Sequence, residues 1–133
     1  MRYNGVQFRA GGTIGPAVFV KLSTAADNTV LQAGAGDPII GISQVGQRRV
    51  PGLAGSDPTI AAIAGEFVEV FIIGDVAQLT AGAAFTRGDF LMSDANGDGI
   101  TATTVLEVGA VALQSAGAAG VLVNVLILSR PAA

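Results

Sequence analysis

The chain has 133 residues, a net charge of −3, 13% charged residues, 19 glycines, and neither cysteine nor histidine. That length suits one domain able to bury a core of its own. The missing residue types exclude a disulfide framework, thiolate chemistry, Ser-His-Asp and Cys-His arrangements and a histidine-built zinc site.

The charged share is about half the usual ~25%, so either the surface is bland or partners cover much of it. The basic residues are scattered, with only Arg48 and Arg49 adjacent, a poor footprint for nucleic acid. No apolar run approaches the roughly 18 residues of a membrane span; the longest, Val121 to Leu128, is interrupted by Asn124. The start, Met1-Arg2-Tyr3-Asn4-Gly5, lacks the apolar stretch of a secretory signal, so the expectation is a soluble protein made and kept in the cytoplasm unless something larger carries it out.

Residues 1–15 admit two readings, an N-terminal arm reaching a neighbour or a first strand. The segment mixes Arg2, Tyr3 and Arg9 with Phe8, residue types enriched at interfaces. Val18 to Leu22, behind the breakers Gly15-Pro16, predicts a strand, and so does Ile39 to Ile42 behind Asp37-Pro38. Between them, Ala33-Gly34-Ala35-Gly36 has the glycines of a phosphate loop but no following Gly-Lys-Ser/Thr, and predicts a turn. Gln47 to Thr59 predicts a protruding loop, where paired Arg48 and Arg49 suit partner carboxylates and Val50 and Leu53 offer apolar contact. Ala61 to Ala64 is the best helical candidate and is too short to matter.

Phe67 to Ile73 predicts a strand ending at Gly74-Asp75, and Phe90 to Met92 one that follows Arg87-Gly88-Asp89. Asp94-Ala95-Asn96-Gly97-Asp98-Gly99 matches the first half of a calcium loop, but the position for the bidentate glutamate is Val105. Asn96-Gly97 is a favoured hairpin pair, which makes this segment a turn and leaves no metal site. Ile100 to Thr103, Val108 to Leu113 and Val121 to Leu128 complete the strands. The carboxylates stand mostly beside Gly or Pro, where aspartate stabilises turns, and Glu66 and Glu69 fall on opposite faces by strand parity. No two of them make an acid/base pair, so no catalytic residue and no cofactor is assigned and the chain is not expected to be an enzyme.

Short strands at this spacing predict an all-β fold, a compact barrel or sandwich. The chain also divides into two similar halves. Each runs strand, acidic turn, strand, apolar-Gly-apolar strand, Gly turn, long strand, matching Gly41 with Gly109 and Gly65 with Gly120. The first half is about 13 residues longer, an excess that falls on residues 47–59.

In the second half, the run Gly88 to Gly97, then Val108-Gly109-Ala110-Val111-Ala112-Leu113, the Ala/Gly-rich loop to Gly120 and the closing strand Val121-Leu122-Val123-Asn124-Val125 resembles the small phage head decoration, or capsid cement, proteins. The first half is similar more loosely, through Phe19-Val20-Lys21 and Ile40-Gly41-Ile42-Ser43. The resemblance implies a β-barrel or β-tulip that forms a homotrimer on the outer surface of the virion's capsid. It implies clamping of adjacent major capsid protein subunits, without catalytic residues or direct contact with nucleic acid or membrane. A carbohydrate- or cell-surface-binding β-domain is the alternative, and having no Trp and one Tyr counts against it.

Overall fold

The computed structural model describes residues 6–44, 48–49, 56–57, 61–103 and 108–128. Among them there is no helix, and the expected all-β architecture is what the chain adopts. In chain order the strands are β1 (Val6–Ala10), β2 (Phe19–Leu22), β3 (Thr29–Gln32), β4 (Gly41–Ser43), β5 (Arg48–Arg49) and β6 (Ser56–Asp57). Then follow β7 (Phe67–Ile72), β8 (Val76–Thr80), β9 (Phe90–Ser93), β10 (Gly99–Thr101), β11 (Ala110–Ala112) and β12 (Leu122–Ile127).

The strands form a closed barrel, β1-β3-β2-β4-β7, a five-stranded sheet, β10-β9-β11-β12-β8, and a separate ribbon of β5 and β6. The first two share one topology. Reading β1, β3, β2, β4 and β7 as β8, β10, β9, β11 and β12 reproduces the neighbour order. It also reproduces the register: Val20 pairs with Gly41 as Leu91 pairs with Ala110, and Val6 with Val70 as Ala77 with Val125. The parallel pairing of Ala10 with Val30 recurs as the bridge between Ala81 and Gly99, and the bridge of Ile14 with Ala62 recurs between Phe85 and Ala116. Turn conformations repeat too, with Gly65 and Gly120 both at φ 90°.

The expected halves are therefore two copies of one strand topology, with a correction of one residue. Gly41 corresponds to Ala110, not Gly109. A Cβ on Gly41 would collide with the Phe71 carbonyl oxygen and the Val70 side chain, so the first repeat requires glycine there. From Ser43 to Val70 the first repeat is 14 residues longer than the second is from Ala112 to Val125. The ribbon pairing Arg48 with Asp57 and Arg49 with Ser56 lies in this excess.

The repeats differ in closure. In the first, β1 pairs with β7 over four residues and with β3 over two. In the second, β8 pairs with β12 over five residues but reaches β10 through a single bridge. Two cores follow. One lies inside the barrel, around Ile14, Val20, Val30, Val68 and Val70. The other joins the inner face of the second sheet (Leu79, Leu91, Val123, Val125, Ile127) to the outer wall of the barrel, which supplies Phe19 and Ile42 with Phe71 and Ile39 against them. The wall β2-β4-β7 is thus apolar on both faces where the second sheet covers it, with Phe19, Ile42 and Phe71 on one side and Val20, Val68 and Val70 on the other.

Of the two readings of the N-terminal stretch, residues 6–10 take the strand: β1 closes the barrel. Ala62, in the helical candidate, forms a β-bridge to Ile14 instead.

Candidate interaction surfaces

Of the residues singled out for partner contact, Arg9 is exposed on β1. Its guanidinium lies over the Phe67 ring, 5.3 Å from the centroid, and Nη1 donates to the Gly65 carbonyl at 3.4 Å. A cation over an aromatic face is stabilised by the ring quadrupole, so Arg9 and the 62% exposed Phe67 form one amphipathic patch. Arg48 and Arg49 form β5, paired with β6. Arg2, Tyr3, Val50 and Leu53 lie outside the described residues. Among the described strands, the ribbon of Arg48 and Arg49 pairs with none of the barrel strands, β1 with Arg9 included.

A second surface was not anticipated from the sequence. None of the five strands of the second sheet contains a charged residue. On its outward face Phe90 pairs with Val111, Val111 with Leu126, and Leu126 with Val76. Directly opposed residues share a face, so these four form one apolar row across β9, β11, β12 and β8. Phe90 is 56% exposed and Val76 54%, with Leu113 and Leu122 also exposed nearby. The signal was present in the parity of Phe90 against Leu91, but the row becomes visible only once the pairing order is known.

The same row exists in the first repeat. Phe19 pairs with Ile42, and Ile42 with Phe71. There it is covered: Phe19 and Ile42 are 0% exposed, packed into the second core.

The junction between repeats is stitched by backbone and side-chain hydrogen bonds. Phe19 N–H donates to the Gly97 carbonyl at 2.8 Å, and Thr80 N–H to the Ala17 carbonyl at 2.8 Å. Gln32 bridges the two, its Nε2 donating to the Asn96 carbonyl while its Oε1 accepts from Gly15 N–H, both at 2.7 Å. The Asp94–Gly99 segment that supplies these partners is a turn built by Asp94, whose Oδ1 accepts from the backbone N–H of Asn96 at 2.8 Å and of Asp98 at 3.0 Å. Gly97 takes φ 82° there. Asp98 lines a cleft between the repeats with Thr13, Pro16 and Thr80. Burial, and then the Asp94 carboxylate, pushes its pKa up to about 6.

Other carboxylates are occupied in the same way. Asp75 Oδ2 accepts from Ile72 N–H, Asp89 Oδ2 from Thr86 N–H and Glu66 Oε1 from Ile63 N–H, each at 3.0 Å and three residues apart. Asp37 Oδ2 accepts from Lys21 Nζ and from Gly34 N–H, each at 2.8 Å. These two hydrogen bonds, Lys21 first, lower its pKa. The expectation that aspartates beside Gly and Pro build turns is met at these positions.

No family model and no curated protein matches the chain. Among solved structures, the chain is similar to the N base of the head fibre protein gp8.5 of bacteriophage phi29. The TM-score is 0.57 at 19% identity, over 95% of this chain and 93% of that one. At this identity the likeness establishes a shared fold, and because both chains are covered almost entirely it includes both repeats.

Proposed function

We propose that this chain is a non-enzymatic structural protein of a phage head. In this reading it is a decoration, or cement, protein that binds the outer surface of the capsid and holds neighbouring major capsid protein subunits together, as a homotrimer. The observation that carries the reading is the end-to-end fold likeness to a phage head fibre base. The resemblance of the second half to head decoration proteins points the same way, from the residues alone.

The physical character of the chain suits the role. A protein that acts by packing needs a stiff scaffold and broad uncharged surface rather than converging polar groups. Two barrel-like repeats sharing a wall supply the first, and a five-stranded sheet without charge the second. Apart from Asp98, which lines the cleft between the repeats, the carboxylates described above are committed to turns and an ion pair. Contact with the shell is assigned to the N-terminal stretch (Arg2, Tyr3, Arg9) and to the 47–59 loop (Arg48, Arg49, Val50, Leu53). The glycan-binding alternative has less support, because the chain has no Trp and one Tyr to build an aromatic platform.

The test is co-sedimentation of the purified chain with expanded shells assembled from the major capsid protein of the same phage. Saturable retention and a higher shell-disruption temperature are expected. Shells that sediment bare at micromolar protein overturn the proposal.

A further inference from the structure

We propose that the outward face of the second sheet, centred on the row Phe90–Val111–Leu126–Val76, is the surface by which one copy of this chain packs against another. The inference deepens the self-association in the functional reading, but it is argued from the internal repeat alone.

The chain itself shows what this row is for. Its equivalent in the first repeat, Phe19–Ile42–Phe71, is the apolar wall on which the second sheet closes. Three of the four second-row positions, Phe90, Val111 and Leu126, correspond strand by strand and register by register to that wall, and all three are again large and apolar. A wall that is a buried contact in one repeat stands open in the other, with Phe90 at 56% exposure against 0% for Phe19. Exposed apolar surface of this extent on a folded chain marks an interaction site.

The occupant follows from what a second copy has left to offer. In the first repeat the row is covered by the inner face of a second-repeat sheet. In any second copy that inner face is already filled by its own Phe19, Ile42 and Phe71. Head-to-tail continuation through that face is therefore blocked, and among the described residues the charge-free apolar row left open on a second copy is this same row. Copies arranged about a symmetry axis that passes through this row, the three-fold of a homotrimer included, bring the same residues together beside the axis, so a charge there would face its like at close range. Strands β8 to β12 carry none. The face is compatible with its own copy in a way that β1, with Arg9, or β7, with Glu69, is not.

The experiment is sedimentation velocity of the full chain over a concentration series, with no shell present, so that its outcome is separate from capsid binding. Reversible self-association is expected. Phe90→Glu should weaken it at least about tenfold while leaving the circular dichroism spectrum intact, because Phe90 is largely exposed. Phe67→Glu, equally exposed but on the first repeat, should leave it unchanged. Mixing Phe90→Glu with Phe90→Lys should restore association, since a self-facing row places the two substitutions near each other. A chain that stays monomeric to about millimolar concentration, or that associates equally well as Phe90→Glu, overturns the proposal.

Discussion

Ala17 is held at φ 53°, in the left-handed region where a Cβ crowds the following carbonyl, and its equivalent in the second repeat is Gly88 at φ 90°. The conformation is imposed from both sides: Ala17 N–H donates to the Gln44 carbonyl and its own carbonyl accepts from Thr80 N–H. For a non-glycine residue this conformation costs about 1–2 kcal/mol, partly offset by the greater freedom glycine has in the unfolded chain. Ala17→Gly also removes a buried methyl worth about 0.8 kcal/mol, so it is expected to leave stability within about 0.5 kcal/mol of the parent, read as a nearly unmoved urea midpoint at unchanged slope. The folded-state pKa of Asp98, about 6, lies above the ordinary 3.8, so the folded protein binds the extra proton between those limits. Its penalty on folding is therefore absent below about pH 4 and complete above about pH 6. Asp98→Asn should be more stable than the parent at pH 7, by about 1 kcal/mol once solvent screening of this part-exposed group is allowed for. The gain should vanish by pH 4 in paired urea titrations, and a gain independent of pH would show that the carboxyl charge is not its source.

The elements depend on a few polar stitches in otherwise apolar walls. Ser43 ends β4 fully buried, its hydroxyl donating to the Gly15 carbonyl at 2.7 Å and accepting from Val18 N–H at 3.1 Å. These bonds pin the segment that leads into β2 against β4. Ser43→Ala leaves a buried donor and acceptor without that partner and should cost about 1–3 kcal/mol in chemical denaturation. The second repeat has Ala112 at this position, and there Asp89 N–H, the counterpart of Val18 N–H, donates to the Thr86 carbonyl at 3.0 Å instead. What was legible in the sequence follows the same division. Strands with several β-branched or aromatic residues between strong breakers, such as β2, β7, β9 and β12, could be read to within one or two residues. The strands β3 and β8 could not. Thr-Val-Leu-Gln has a two-residue apolar centre, and Val-Ala-Gln-Leu-Thr turns only Ala77 and Leu79 inward, neither a strong strand former; both are strands because their neighbours' edges need pairing, which is tertiary information. The repeat was legible through its glycines, but Gly41 and Gly109 misled the register by one residue, because one glycine is demanded by a close backbone approach and the other precedes its strand. The apolar row was hidden for the same reason as β8: Val76 joins Phe90 only through the strand order.

At the scale of the molecule, the internal repeat separates what the fold needs from what has been added to it. The second repeat connects Ala112 to Val125 with 14 fewer residues than the first uses between Ser43 and Val70, yet β11 pairs with β12 in the same register as β4 with β7. The extra length is therefore dispensable for the pairing it interrupts. Excising Gln47 to Thr59 leaves a connection within one residue of the one the second repeat already uses. Loop-closure entropy changes only slowly with length, so this deletion should fold and melt within about 3 °C of the parent. Both repeats should still melt in one transition, because Phe19 and Ile42 of the first complete the core of the second. If the 47–59 segment grips the shell, as proposed, the same deletion should abolish co-sedimentation with capsids while leaving self-association through the Phe90 row untouched. A deletion variant that still binds shells moves the capsid contact away from Arg48 and Arg49. One that fails to fold would show that the insertion, though absent from the second repeat, has become part of the first repeat's core.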